Sequence, residues 1–127
     1  MNDLFIRVKN LKRKIDNLEY EIYAARAKME KARVNYNYYR YVVDKFKENL
    51  SELRIKDRVV SIIEYSKIIK EYKQSTTALG KYKSEYDYFK EYIDVSEKRF
   101  GKMNIEFDKI SKILNSQKVV LLFRKKE

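Results

Sequence analysis

Histidine, cysteine, proline and tryptophan are absent from this 127-residue chain, and glycine occurs only twice. Without histidine or cysteine the usual general base, thiol nucleophile and soft metal ligands are gone, so neither catalysis nor a metal centre is expected. The missing cysteines remove any disulfide or thiolate–metal framework. Proline and glycine are the normal punctuation of turns, and with so little of either there is scant material for a multi-loop globular fold. There is no glycine-rich phosphate loop and no G-x-x-x-x-G-K-[ST] pattern. No cofactor and no small-molecule substrate are therefore expected, and enzyme activity is not. Long apolar runs are missing too. The longest, Val119 to Phe123, falls far short of the roughly 18 residues of a membrane span and lies at the wrong end for a signal peptide. A soluble intracellular protein is the expectation.

What the chain does contain is charge and periodicity. Charged residues make up 39% and hydrophobic ones 44%, a mixture suited to long solvated helices with a narrow apolar seam. Leu4, Val8, Leu11, Ile15, Leu18, Ile22, Ala25, Met29, Ala32, Tyr36, Tyr39, Val43, Phe46, Leu50 and Leu53 follow one another in alternating steps of three and four. That is a coiled-coil heptad with Val8 at position a and Leu11 at d. A second series runs Tyr65, Ile68, Tyr72, Ser75, Leu79, Tyr82, Tyr86, Phe89, Ile93, Ser96, Phe100, Met103, Phe107, Ile110 and Leu114. Gly80 and Gly101 both fall at b positions, outside this seam, where each weakens a helix by about 1 kcal/mol without ending it.

The two series are out of phase by one residue, so something interrupts them. Ser61-Ile-Ile-Glu64 reads as a capping box, with Val60 and Tyr65 placed as a hydrophobic staple. The expected organisation is all-α: one antiparallel coiled-coil hairpin over residues 1–127. It has a first helix over about 3–55, a turn at about 55–60, a second helix over about 61–115 and a C-terminal overhang at 116–127. The competing reading is one extended helix with a one-residue skip. The hairpin is favoured because folding back pairs Leu4 with Leu114, Leu11 with Phe107, Leu18 with Phe100 and Leu53 with Tyr65. It also sets small against large, with Ala25 facing Ile93, Ala32 facing Tyr86, Ser96 facing Ile22 and Ser75 facing Val43. A parallel homodimer would instead oppose Arg7 to Lys12 and Lys28 to Arg33. Helices of about 50 residues at about 1.5 Å each give a rod near 75 Å long.

Of the net charge of +11, the two terminal segments 1–14 and 109–127 carry +9 and the rest only +2. The cations are Arg7, Lys9, Lys12, Arg13 and Lys14, with Lys109, Lys112, Lys118, Arg124, Lys125 and Lys126, against Asp3 and Glu127. A hairpin gathers them at one end. Such an end can bind nucleic acid, anionic lipid or an acidic protein surface, or stand as a solvated cluster. Few stacking aromatics accompany it and no groove-reading module is visible, which favours an acidic protein socket over nucleic acid. The apolar run at 119–123 has no opposite number on the first helix and either inserts into a partner or frays. A second stripe, Tyr20, Tyr23, Ala27, Val34, Tyr38 and Tyr41, occupies f, b and c positions on the back of the first helix. An apolar outer face of this kind marks a protein contact site or self-association into a four-helix bundle.

The segments Val43-Asp-Lys-Phe-Lys-Glu-Asn-Leu50 and Ile63-Glu-Tyr-Ser-Lys-Ile-Ile-Lys-Glu-Tyr72, with their aromatic-x-x-x-aliphatic pattern, resemble the FliJ/YscO family. So does the architecture, a basic antiparallel hairpin with adjacent termini and an overhanging C-terminal segment. These are the small stalk proteins of type III secretion ATPases, similar in shape to the coiled coil of the rotary ATPase gamma subunit. The Lys-, Ile- and Tyr-rich composition looks more like a virulence member than a flagellar one. The resemblance implies a stalk in the bacterial cytoplasm, at the cytoplasmic face of the inner-membrane secretion apparatus, touching the membrane only indirectly. It implies that the eleven terminal cations enter the pore of a homohexameric secretion ATPase. By location along the hairpin, Tyr20, Tyr23, Tyr38 and Tyr41 would contact the export-gate protein or secretion chaperones. A phage or other structural coiled-coil scaffold, or a nucleic-acid-binding helical protein, is the alternative.

Overall fold

The computed structural model describes residues 2–55 and 62–126, and side chains over residues 3–52 and 63–117. Two long helices, α1 (Asn2–Ile55) and α2 (Ile62–Lys126), pack against each other as a helical hairpin, with no strand among the described residues. Asp3 and Glu64 sit in the first turns of α1 and α2, where a carboxylate complements the helix dipole. Neither glycine interrupts α2, as their b positions require. The expected turn at 55–60, the Ser61 cap with its Val60 staple, and the Leu53–Tyr65 layer involve residues outside those described.

Every residue buried among the described ones lies in the two heptad series: Leu11, Ile15, Leu18, Ile22, Ala25, Ala32, Val43, Ser75, Ile93, Ser96, Ile110 and Leu114. No side chain among the described residues is fully enclosed, because two helices cover only one stripe of each other. Two expectations need correction. The helix expected to end near residue 115 continues to Lys126. Residues 116–126 contain no proline or glycine to break a helix, and their Leu, Lys, Arg and Gln are good helix formers. Cations in the last turn also suit the negative end of the dipole. Tyr65, counted as a seam residue, is 46% exposed, and Ile68 is the first half-buried seam residue of α2. A layer at the end of a seam has a neighbour on one side only, and tyrosine there keeps its hydroxyl in water.

The hairpin comprises two compact units. The first joins Met1–Ala25 to Glu91–Glu127. Its core is Leu11, Ile15 and Ile110, with Leu4, Val8, Phe100, Met103 and Phe107 packed against them. At the seam's flank Arg7 Nη2 donates to Glu106 Oε1 at 3.0 Å, and Tyr92 Oη donates to Glu21 Oε2 at 3.3 Å. Numbers rise along α1 as they fall along α2, so the pairing is antiparallel.

The second unit spans Arg26–Lys90. Here only Ala32, Val43 and Ser75 are buried among the described residues, and the half-buried part of the seam is mostly tyrosine and phenylalanine, with Met29, Leu50, Ile68 and Leu79 among them. The Tyr39 and Tyr82 rings stack at 5.6 Å with a 13° tilt, and Phe46 meets Tyr72 edge to face at 6.5 Å. With Lys28 lying 5.9 Å over the Phe89 ring, these pairs again run in opposite directions. Offset or edge-on aromatic pairs add about 0.5–1.5 kcal/mol beyond their area burial. The first unit is thus an aliphatic zipper and the second an aromatic one. Wide rings beside a small Ala32 leave hollows along the second unit's flanks.

Candidate interaction surfaces

In the first unit Arg7, Lys9, Lys12, Arg13 and Lys14 lie exposed on consecutive turns of α1, with exposed Lys109 and Lys112 on the antiparallel stretch of α2. The side chains of Lys118, Arg124, Lys125 and Lys126 lie outside the described residues. The cations are not equivalent. Arg7 is engaged by Glu106. Lys12 Nζ is 3.1 Å from Asp16 and 5.9 Å over the Phe107 ring, and Lys9 lies 4.9 Å over Phe5. Exposed ion pairs of this sort contribute roughly 0–1 kcal/mol, so they orient Arg7 and Lys12 more than they stabilise the fold. Arg13, Lys14, Lys109 and Lys112 are the exposed remainder. A groove of about 440 Å³ lined by Asp3, Ile6, Arg7, Asn10, Lys14 and Glu106, with Leu11 and Met103 at its base, runs beside them.

The charge outside the terminal segments, +2 in total, is a sum of opposites. Residues 15–25 and 91–108, all in the first unit, carry −5, whereas residues 26–90, the second unit, carry +7. The basic end is bordered by an acidic band, and the second unit is itself cationic. Averaging over sequence hid both.

The outer stripe is exposed throughout. Tyr20 and Tyr23 belong to the first unit, at 72% and 74% exposure. Ala27, Val34, Tyr38 and Tyr41 belong to the second. Tyr38 leans edge-on against Tyr39 at 5.1 Å, and Lys45 lies 5.6 Å over the Tyr41 ring. Reasoning from α1 alone missed exposed apolar residues of α2, among them Ile63 and Tyr88 in the second unit and Val95, Ile105 and Ile113 in the first. Their signal was available, since the heptad places Tyr88 and Val95 at c, Ile105 at f and Ile113 at g.

Two grooves flank the aromatic seam of the second unit. One, of about 560 Å³, is lined on the α1 side by Lys28, Lys31, Ala32 and Asn35, and on the α2 side by Lys81, Tyr82, Ser84, Glu85, Tyr88 and Phe89. The other, of about 310 Å³, is lined by Arg33, Tyr36, Asn37, Lys83, Tyr86 and Asp87. On the latter's rim Arg33 forks onto Glu30, with Nε donating to Oε2 at 3.0 Å and Nη2 to Oε1. Those hydrogen bonds, with the guanidinium charge, hold the Glu30 carboxyl below its ordinary value of 4.5 and raise Arg33 above its own.

Among the described residues no group of acidic side chains is arranged to hold a metal ion, and no helix is long and apolar enough to cross a membrane. Comparison with protein-family models, with curated proteins and with solved structures gives no significant match for this chain.

Proposed function

We propose that this protein is the central stalk of a bacterial type III secretion ATPase, of the kind the FliJ/YscO resemblance implies, in a virulence system. Its basic terminal end enters the pore of the hexamer, stimulates ATP hydrolysis and links the ATPase to the export gate. The observation that carries the reading is the pairing of both terminal segments in one antiparallel unit, which sets Arg13 and Lys14 and, across the seam, Lys109 and Lys112 on the same portion of the hairpin. A two-helix hairpin is asymmetric, so inside a ring of six identical subunits it touches different subunits unequally. Unequal contact favours different nucleotide states in different subunits, which is differential binding and needs no chemistry from the stalk. Tyr20, Tyr23, Tyr38 and Tyr41, exposed away from the seam, are the residues assigned to the gate or to secretion chaperones.

The test is phosphate release by the hexameric secretion ATPase with and without this protein. The native chain is expected to raise the rate. A variant carrying Arg13→Glu, Lys14→Glu, Lys109→Glu and Lys112→Glu is expected to lose that effect while keeping its far-ultraviolet helical signal. An ATPase indifferent to the native chain overturns the proposal. Duplex DNA binding that weakens steeply with salt would replace it with a nucleic-acid role.

A further inference from the structure

We infer that the wider groove of the second unit is a docking site for an acidic amphipathic helix of another protein. This rests on the groove alone and does not depend on the stalk reading. Ala32, only 2% exposed, is the small apolar residue in the groove's lining, where a larger side chain would fill part of the hollow. Tyr82 and Phe89 flank the floor, and Tyr88, 64% exposed, stands on the α2 wall. Tyr88 meets the Phe89 ring edge to face at 5.2 Å, and an exposed tyrosine beside a hollow is a residue type enriched where proteins meet.

The lining also fixes the sign of the occupant. Lys28 and Lys31 stand on the α1 wall and Lys81 on the α2 wall, against the single carboxylate of Glu85. Two of these lysines are already placed. Lys28 lies 5.9 Å over the Phe89 ring and Lys81 lies 5.6 Å over Tyr82. In both cases it is the ammonium nitrogen that lies over the ring, a cation–π placement that keeps positive charge at the edge of the groove. Cations on both walls of an aromatic trough suit a helix with apolar residues on one stripe and carboxylates on both sides of it. The lined stretch, residues 28–35 on α1 and 81–89 on α2, covers roughly 10–12 Å of helix axis, about two turns of an occupant. That length takes anchors spaced i, i+3 or i+4, and i+7.

A second copy of this chain is the wrong occupant. Two such grooves facing each other would oppose lysine to lysine, within a unit whose net charge is +7. The narrower groove is a poorer candidate, because Arg33 on its rim is already bound to Glu30 and Asp87 lies in its lining. The terminal groove has no aromatic residue in its lining, carries Asp3 and Glu106 against Arg7 and Lys14, and belongs to the basic end.

The probe is a designed helical peptide of three heptads, with leucines on one stripe, glutamates on both sides and one tryptophan. The protein contains no tryptophan, so the peptide's own fluorescence reports binding. Saturable one-to-one binding is expected, with a dissociation constant on the order of 10 μM, weakened by added salt. The double variant Lys28→Glu, Lys81→Glu is expected to lower affinity by roughly tenfold or more, and Tyr88→Ala by a comparable factor. Both alter exposed side chains, and Lys102→Glu, exposed in the other unit, serves as a control that leaves binding intact. Equal binding of a scrambled peptide of identical composition, or indifference to the double variant, overturns the inference. So does sedimentation equilibrium showing that the chain self-associates and that Tyr88→Ala dissolves the assembly.

Discussion

Glu30 and Arg33, three residues apart on α1, are exposed, and their fork is a local interaction. Because the Glu30 carboxyl is held below 4.5, its contribution to stability is present at neutral pH and is lost as pH falls through that lowered value. Arg33→Gln is expected to return the Glu30 titration toward 4.5, measurable by side-chain carboxyl NMR shifts. An unmoved titration would show that the guanidinium is not the cause. Seam residues answer to packing instead. Ile15 is 3% exposed at the centre of the aliphatic core, so Ile15→Ala is expected to cost about 2–5 kcal/mol in urea unfolding. Tyr88→Ala, on the surface, is expected to stay within about 0.5 kcal/mol. Equal costs would contradict the assignment of seam and surface. At this scale the sequence was informative about the seam because apolar spacing directly encodes facing. It was silent about Arg7, whose partner Glu106 lies on the other helix, whereas the Lys12–Asp16 pair is an i,i+4 spacing legible along α1.

Within the elements, the alternating steps of three and four located both helices, and the b positions of the glycines foretold that α2 would pass through them. A Cβ added at Gly80 or Gly101 meets nothing within 4 Å. Gly80→Ala and Gly101→Ala are each expected to raise stability by about 1 kcal/mol, read as a higher thermal midpoint by circular dichroism. A fall at either position would mean that the helix there is distorted or that its surface is covered by another chain. The end of α2 was less legible. Loss of an opposite residue on α1 marks where seam packing stops, and it was taken to mark where the helix stops. These are separate questions, because backbone hydrogen bonds within a helix do not depend on a residue facing it across the seam.

For the whole molecule, the decisive alternative is a hairpin against one straight helix. The chain has no native cysteine, so spin labels at Glu19→Cys and Lys102→Cys, both exposed and both in the first unit, report unambiguously. A separation of about 2 nm is expected for antiparallel neighbours, against roughly 12 nm for a continuous helix rising about 1.5 Å per residue. By itself the sequence determined the helices, their apolar faces and the antiparallel sense, because heptad phase and large-against-small matching are local properties that survive translation into numbers. Only the tertiary structure decided that Arg7 is engaged across the seam by Glu106, where a groove opens beside the small Ala32, and how charge divides into a basic end, an acidic band and a second basic unit. Those depend on residues far apart in the chain becoming neighbours across the seam, and charge and hollow are properties of neighbours in space.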